Sequence, residues 1–495
     1  MMEFQKLYDY LSAVKKRNKV DVHTIVNTTL VANPYITKFP EDFLFGASKR
    51  ENTFKSFCLN TCKFYTFNLF RVLIFMQILF CYKILYQKLK PNISKNDLII
   101  DIYINVDGVV RDGVFADKYF SGLYPVLKEE KCNYIFVPRL IGVSFNPVRA
   151  HQQLVSFFRI INQGENLYLF EFDSFSVMNF VELIWLYCCY PFKTIRLLSK
   201  NKTTTDQLFN FHLIKDISKQ SIVPFARYIF GKNLSRYSDI SKIYSWSEFQ
   251  VTERAFNYAI RKTSDIKINA CQFLVSYPAH FNMHIQDIDE IQGSAPNRVL
   301  VNGPHYLLKR QMVDYQLGVS LRYKDIFQYQ PQWNGSDIII VGSYSVNETT
   351  HILKMASEVG NVLFKGHPLV DNKKFSDLMS KNTRVTKENI YSLFPQAALI
   401  IGGASGSLVE AISCGVSVLV IARENELVTN PMAEKGRGKM WDIAYNSIEV
   451  ETKTKELLTF RNQNKSELIS TADWYRNNLF VEPTKENIKQ TFELR

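Results

Sequence analysis

GGASGSLVEAISCGVSVLVIA, residues 402–422, is the stretch whose reading decides the fold. The apolar run Ala398–Ile401 predicts a buried strand that ends in a turn of small residues, Gly402 to Ser407. Leu408, Val409 and Glu410 then open a helix that runs to Ser413, and Val416–Ile421 predicts the next strand. Such a turn, between a strand's carboxyl end and a helix N-terminus, presents unpaired N–H groups and the positive end of the helix dipole to one crevice. That is an anion site of a general kind. Upstream, Phe364-Lys365-Gly366-His367-Pro368 is a second strand-end signal. Together the two predict a nucleotide held at strand ends.

Outward from there the alternation continues. Asp337–Val341 predicts a strand, Gly342-Ser343-Tyr344-Ser345 a turn, and Asn347 the N-cap of a helix through Glu358. Strands at Asn361–Phe364 and Thr383–Val385, and helices near Lys373–Met379 and Glu388–Phe394, fill the interval. The tail has helical patterns at Lys453–Leu458, Ser466–Asn478 and Thr484–Glu493. On the other side, the segment from Gln328 to Gly335 is turn-rich and marks a domain boundary. Before it, strands are predicted at Asp97–Val106, Cys132–Pro138, Asn166–Phe172, Asp239–Trp246, Ile266–Ser276 and Arg298–Val301. A helix over Val148–Asn162 puts Leu154, Phe157, Phe158 and Ile161 on one face. Strands alternating with helices predict parallel sheets, hence an α/β protein. Its domains are 1–331, with helical insertions, and 332–480, with a last helix in 481–495 packing back on the first.

Composition bounds the function. The chain has 495 residues, 46% of them hydrophobic, enough for real cores, and its net charge of +13 suits an anionic substrate, nucleic acid or an anionic membrane. Its 8 cysteines lack the paired spacing of a zinc site, and the N-terminus lacks an apolar signal region. A reducing, cytoplasmic setting is expected. Phe64–Leu85 is strongly apolar but carries Arg71 and Lys83, which favours an interfacial helix or a buried core helix over a membrane span. Both readings stay open. Peripheral contact with the inner face of the cytoplasmic membrane is one expectation, and no compact basic-aromatic module points to nucleic acid.

Residues Gly406–Ala422 resemble the donor-nucleotide signature of GT-B-fold glycosyltransferases: a Gly- or Ser-bearing turn, then Glu-Ala (Glu410-Ala411), a small residue and Gly (Gly415), then an apolar strand. Many such families carry an earlier Glu where this chain has Gly402. Lys365-Gly366-His367-Pro368 is similar to the His-Pro signature of bacterial sialyltransferases and Kdo transferases, and to that of the CDP-glycerol glycerophosphotransferase group. The resemblance covers residues 336–422. It implies two Rossmann-like domains facing a cleft (GT-B type) and a nucleotide-sugar donor, CMP-linked in the favoured case. Lys365, His367, Pro368, Ser405, Gly406 and Ser407 would hold its phosphate, and Glu410 would accept hydrogen bonds from ribose hydroxyls.

A transferase also needs a base for the acceptor hydroxyl. Asp107, before Gly108, and Glu248, where a strand hands over to a helix, are the candidates, with Asp173 third. His280 and His284 have helical metal spacing without a carboxylate to complete a site. Asn302 to Tyr306 reads as a turn near the domain boundary. Arg254, Arg261, Lys262, Lys309, Arg310 and Arg322 could meet an anionic ligand. No Asp-x-Asp metal motif stands beside the nucleotide turn, and neither metal nor cofactor is expected. The expectation is a metal-independent glycosyltransferase acting on a bacterial surface polysaccharide or lipid-linked glycan. The rivals are a glycerol- or ribitol-phosphate transferase using a CDP donor, and a non-catalytic nucleotide-sugar-binding protein.

Overall fold

The structure, a computed structural model, describes residues 2–494 apart from 19, 25, 27, 47–52, 89, 90, 202, 310, 311, 369, 380, 381, 404, 425, 428 and 429. Ala404 and Arg310 therefore lie outside the described residues.

The helices before the first sheet include α1 (Met2–Arg17) and the long apolar α2 (Thr53–Leu85), with two short ones at Thr29–Ala32 and Phe39–Phe45 between them. Then follow β1 (Leu98–Asn105), α3 (Val106–Asp112), β2 (Tyr134–Ile141), α4 (Pro147–Gln163), α5 (Val177–Thr194) and α6 (Val223–Leu234). The lobe continues with β3 (Lys242–Trp246), α7 (Val251–Thr263), β4 (Lys267–Gln272), β5 (Arg298–Val301) and β6 (Asp314–Leu317). The second lobe has β7 (Asp337–Val341), α8 (Val346–Met355), β8 (Val362–Lys365), β9 (Arg384–Thr386), β10 (Ala397–Gly402) and α9 (Gly406–Ser413). It ends with β11 (Ser417–Ile421), β12 (Trp441–Ala444), α10 (Ser447–Gln463), α11 (Lys465–Leu479) and α12 (Lys485–Phe492).

Each lobe holds a 6-stranded sheet, in the orders β2-β1-β3-β4-β5-β6 and β12-β11-β10-β7-β8-β9, with every pairing parallel. Central parallel strands are covered on both faces and so are apolar throughout. Every residue of β10 (AALIIG) and β11 (SVLVI) is buried. The second sheet, counted within its own lobe, runs third, second, first, fourth, fifth, sixth, the doubly wound order of nucleotide-binding domains. Its winding reverses between β7 and β10, and the first sheet reverses between β1 and β3. Ligands bind at such reversals, outside the carboxyl ends of the strands. Two Rossmann-like α/β lobes facing a cleft, as the GT-B resemblance implies, is the architecture found.

The tail ties the lobes together. The Ser320 N–H donates to the Val481 carbonyl at 2.9 Å, and the Val481 N–H donates to the Ser320 hydroxyl at 3.0 Å. A Cβ on Gly303 would run into the Leu479–Phe480 peptide. Beyond it, Phe492 of α12 packs among Phe120, Tyr244 and Phe273 of the first lobe.

Several sequence expectations are corrected. Asn166–Phe172 is no strand: Tyr168 alone bridges to Phe136, and the chain turns at Glu171–Asp173. There the Asp173 carboxylate accepts the Phe170 N–H at 2.8 Å and ends the extended run. β1 stops at Asn105, whose side chain accepts the Gly108 N–H at 3.2 Å and caps α3, so Asp107 sits inside a helix. Ser345, not Asn347, caps α8 by accepting the Glu348 N–H at 3.4 Å. The helix near Lys373–Met379 is a 3-10 segment, Asn372–Leu378. The helix expected at Lys453–Leu458 extends over Ser447–Gln463.

Candidate functional site

The winding reversal of the second sheet opens into a cavity of about 390 Å³ between the lobes. Lys365, Gly366, His367 and Pro368 reach it from the end of β8, and Val341 and Gly342 from β7. Ser405, Gly406, Ser407 and Glu410 reach it from the start of α9. All seven residues read as nucleotide-binding thus line one cavity. The first lobe supplies Leu274, Val275, Tyr277, His280, Arg322 and Tyr323.

Local packing makes the cradle. A Cβ on Gly366 would overlap the Asn372 carboxamide, so any larger residue in this turn would have to push that side chain aside. Ser405 is the N-cap of α9: its hydroxyl accepts the Ser407 N–H at 3.4 Å and pairs with the Ser407 hydroxyl at 2.6 Å. A Cβ on Gly406 would sit 3.7 Å from the Val275 Cβ, so the first turn of α9 faces the opposite lobe at van der Waals range.

The cavity is electropositive. Burial lowers the Lys365 pKa, and burial with the neighbouring Lys365 charge lowers that of His367 below 6.5. The His367 ring lies edge-on to Tyr344, with centroids 6.4 Å apart. Among the described residues Lys365 and Arg322 have no ion-pair partner. The Arg322 guanidinium lies 5.5 Å from the Trp246 ring and 5.7 Å from that of Tyr119. The one carboxylate in the lining, Glu410, accepts the Tyr391 hydroxyl at 2.6 Å. Burial raises its pKa above 4.5, against the pull of Tyr391 and Arg322. Two uncompensated cations and an open helix N-terminus against one carboxylate make a site for a ligand with several negative charges.

The base candidates stand apart from this cavity. Glu248 follows β3, at the reversal of the first sheet; burial and Glu253 raise its pKa, and the Gln250 amide donates to it at 2.7 Å. Asp107 accepts from the Gln153 amide at 2.8 Å and lies 3.9 Å from Arg149. Neither lines the cavity at the winding reversal of the second sheet. The helix carrying Asp107 instead contributes Gly108, Val109, Arg111 and Asp112 to a second cavity, of about 520 Å³, whose rim includes Pro368 from the other lobe. Asp173 is buried against Tyr82 and the Phe170 N–H.

Beneath Glu248 lies a buried charge network. Arg139 bonds Glu253 and the Trp246 carbonyl, Asp101 faces both Arg139 and Arg227, and the Tyr103 hydroxyl donates to Glu253 at 2.7 Å. It fixes the ends of β1 and β3.

Of the basic suspects among the described residues, only Arg322 lines the cavity at the second sheet's reversal. Arg254 is buried on Asp289 at 2.6 Å, Arg261 is clamped by Glu290, and Lys262 lies over the Tyr258 ring. His280 stacks on Tyr277, and the described residues contain no cluster of three or more metal-ligating side chains. Sequence reasoning missed Tyr277, Tyr323 and Tyr391. The Ser276-Tyr277-Pro278 turn after β4 was the available signal for the first of them.

No protein-family model matches the chain, and no curated protein does. Among solved structures it is similar to Acinetobacter baumannii MurG, at 11% identity over 80% of this chain and 99% of that one, with a TM-score of 0.43. Sucrose-phosphate synthase from Thermosynechococcus elongatus matches at 9% identity over 80% and 98%, with a TM-score of 0.44. The UDP-GlcNAc 2-epimerase of Methanocaldococcus jannaschii matches at 9% identity over 80% and 99%, with a TM-score of 0.43. The fold assignment stands on strand order and winding.

Proposed function

We propose that the protein is a glycosyltransferase that moves a sugar from a nucleotide donor, CMP-activated in the reading we favour, to a glycan or glycolipid acceptor at the inner membrane face. The observation that carries this is the convergence of Lys365, His367, Ser405, Ser407 and Glu410 on one cavity at the winding reversal of a nucleotide-type sheet. In this reading Glu410 takes the ribose hydroxyls. Lys365, His367, the paired serine hydroxyls and the first N–H groups of α9 hold the phosphate. As the bond from the sugar to the phosphate oxygen breaks, the electron pair stays on that oxygen, and these donors stabilise the charge in place. The acceptor hydroxyl forms the new bond and gives its proton to a carboxylate of the first lobe. Glu248 suits this better than Asp107, since its raised pKa makes it the stronger base and it adjoins Tyr119 and Trp246, the rings under Arg322. Arg322 would meet a donor carboxylate, which is why an acidic sugar of the Kdo or sialic-acid type is favoured.

The test is thermal stabilisation, followed by turnover, with CMP, CMP-Kdo, CMP-sialic acid, CDP-glycerol and UDP-sugars. Stabilisation by cytidine nucleotides, lost in Lys365→Ala and Glu410→Ala, is expected. A response to UDP-sugars alone would overturn the cytidine assignment. Turnover of CDP-glycerol alone would make the enzyme a glycerophosphotransferase.

A further inference from the structure

α2 is apolar all round, as only a buried or membrane-facing helix should be, yet much of it is uncovered. Its inner side is locked in the first lobe by Phe64, Phe75 and Tyr82. Its outer side carries Tyr65, Leu69, Leu73, Met76 and Phe80, a stripe at helical spacing in which Leu69 is 59% and Phe80 60% exposed. α5 runs antiparallel beside it: Phe57 packs on Phe192, Phe64 on Tyr187, and Phe75 on Phe175 just before α5. The Tyr65 hydroxyl donates to the Cys188 carbonyl at 2.6 Å. α5 has an exposed stripe of identical spacing, Val177, Val181, Trp185, Cys188 and Phe192, with Trp185 69% exposed. Two matched stripes on neighbouring helices form one contiguous apolar face, larger than scattered surface residues account for.

Charge identifies what covers it. Residues 53–96 contain seven Lys or Arg and no Asp or Glu. Arg196 and Lys200 follow α5, whose single acid, Glu182, is paired with Lys232. An apolar face in a predominantly basic frame complements an anionic lipid surface, with aromatic and aliphatic side chains in the acyl boundary and cations at the headgroups. One helix among the described residues, Phe54–Leu85, is long and apolar enough to cross a membrane. Crossing would strip Phe64, Phe75 and Tyr82 from the core, so the packing allows this helix to meet a bilayer only along its exposed side.

The face also points somewhere. The Gln77 amide of α2 donates to the Pro147 carbonyl at 2.8 Å, and Phe145 and Val148, on either side of that turn, are exposed. Just beyond, Ile141 and Val114 line the second cavity, the one that Pro368 rims. We propose that the α2–α5 face docks the protein on an anionic monolayer and sets the first-lobe cavity at the lipid surface, so that the acceptor is drawn from the bilayer as a lipid-linked molecule. The docking stands on the surface alone; the acceptor class rests on the glycosyltransferase reading.

The test is co-sedimentation of the full chain with vesicles of phosphatidylcholine, or of phosphatidylcholine and phosphatidylglycerol in equal parts. The wild type should partition onto the anionic vesicles, and Leu69→Glu with Trp185→Glu should weaken this by about tenfold or more. Both side chains are exposed, so the double variant should keep its circular dichroism and its nucleotide-induced thermal shift. Unchanged partitioning of the double variant would overturn the proposal. So would a wild type that ignores both vesicles and elutes as a dimer dispersed by the same substitutions, since the face would then belong to a second copy. Vesicle binding without any nucleotide response would sink the transferase reading and leave the docking intact.

Discussion

In the proposed site His367 stands as a neutral side chain, because burial and Lys365 both disfavour its charged form. A phosphate beside it reverses that balance and draws a proton onto the ring. Binding therefore takes up a proton, so nucleotide affinity should rise as pH falls toward the ordinary histidine value of 6.5 and level off below the lowered pKa. His367→Gln should flatten the profile, measured by calorimetric titration across that window. Without ligand the sign is opposite: a depressed histidine contributes stability that is lost as pH falls through its unfolded value of 6.5. Arg139 makes a second residue-scale case. It is buried between Asp101 and Glu253, so Arg139→Ala leaves Glu253 without its cation and Asp101 with Arg227 alone. A loss of about 3–5 kcal/mol in urea unfolding is expected, with a smaller loss in the double variant that also carries Glu253→Gln. Residue types were legible at His367, where strand, glycine, histidine and proline stand together. The Arg139 network was invisible, since its members come from β1, β2, α6 and α7 and meet only after the first sheet forms.

Elements were legible in proportion to their punctuation. β7, β8, β10 and β11 are short apolar runs, the first three running into a glycine, and each lies within about two residues of its expected place. β6 was missed because it is an exposed edge strand of mixed polarity, DYQL, held only by pairing with β5. Asn166–Phe172 misled because its alternation is that of a strand, while Asp173 caps a turn and leaves Tyr168 as its single bridge. The turn after β4 carries a prediction of its own. His280 is wedged against Tyr277 and Tyr35, and burial, with His284 nearby, pushes its pKa down to about 3. Below 6.5 the unfolded chain takes up a proton that this folded histidine refuses until about 3. Folding stability should therefore fall by up to about 1.4 kcal/mol per pH unit in that interval. Urea midpoints taken at pH values above and below the unfolded pKa should show a smaller acid loss in His280→Phe. An unchanged loss would place the acid sensitivity elsewhere.

At the scale of the whole molecule the lobes are not independent beads, because the chain crosses between them twice. The first crossing lies between β6 in one sheet and β7 in the other. The second was legible in the sequence only as an expectation that the last helix packs back. Its anchor is Phe492, 1% exposed and in edge or tilted contact with Phe120, Tyr244 and Phe273, while Lys485 and Lys489 pair with Glu130 at the surface. The ion pairs are exposed and contribute little. The ring is what binds, and Phe492→Ala should cost about 3–5 kcal/mol through lost burial and the cavity left behind. That cost falls on the first lobe, although the residue belongs to the donor lobe's tail. The residues proposed to hold the nucleotide from β7, β8 and α9 do not touch Phe492, so the ligand should still stabilise β7–β12 in the variant. Thermal unfolding should then split into an early transition that ignores nucleotide and a later one that responds to it, where the wild type gives one. If Phe492→Ala instead lowers a single transition that nucleotide still shifts as a whole, the lobes are coupled through the cleft itself, by contacts such as Gly406 on Val275, and the tail is a secondary tie.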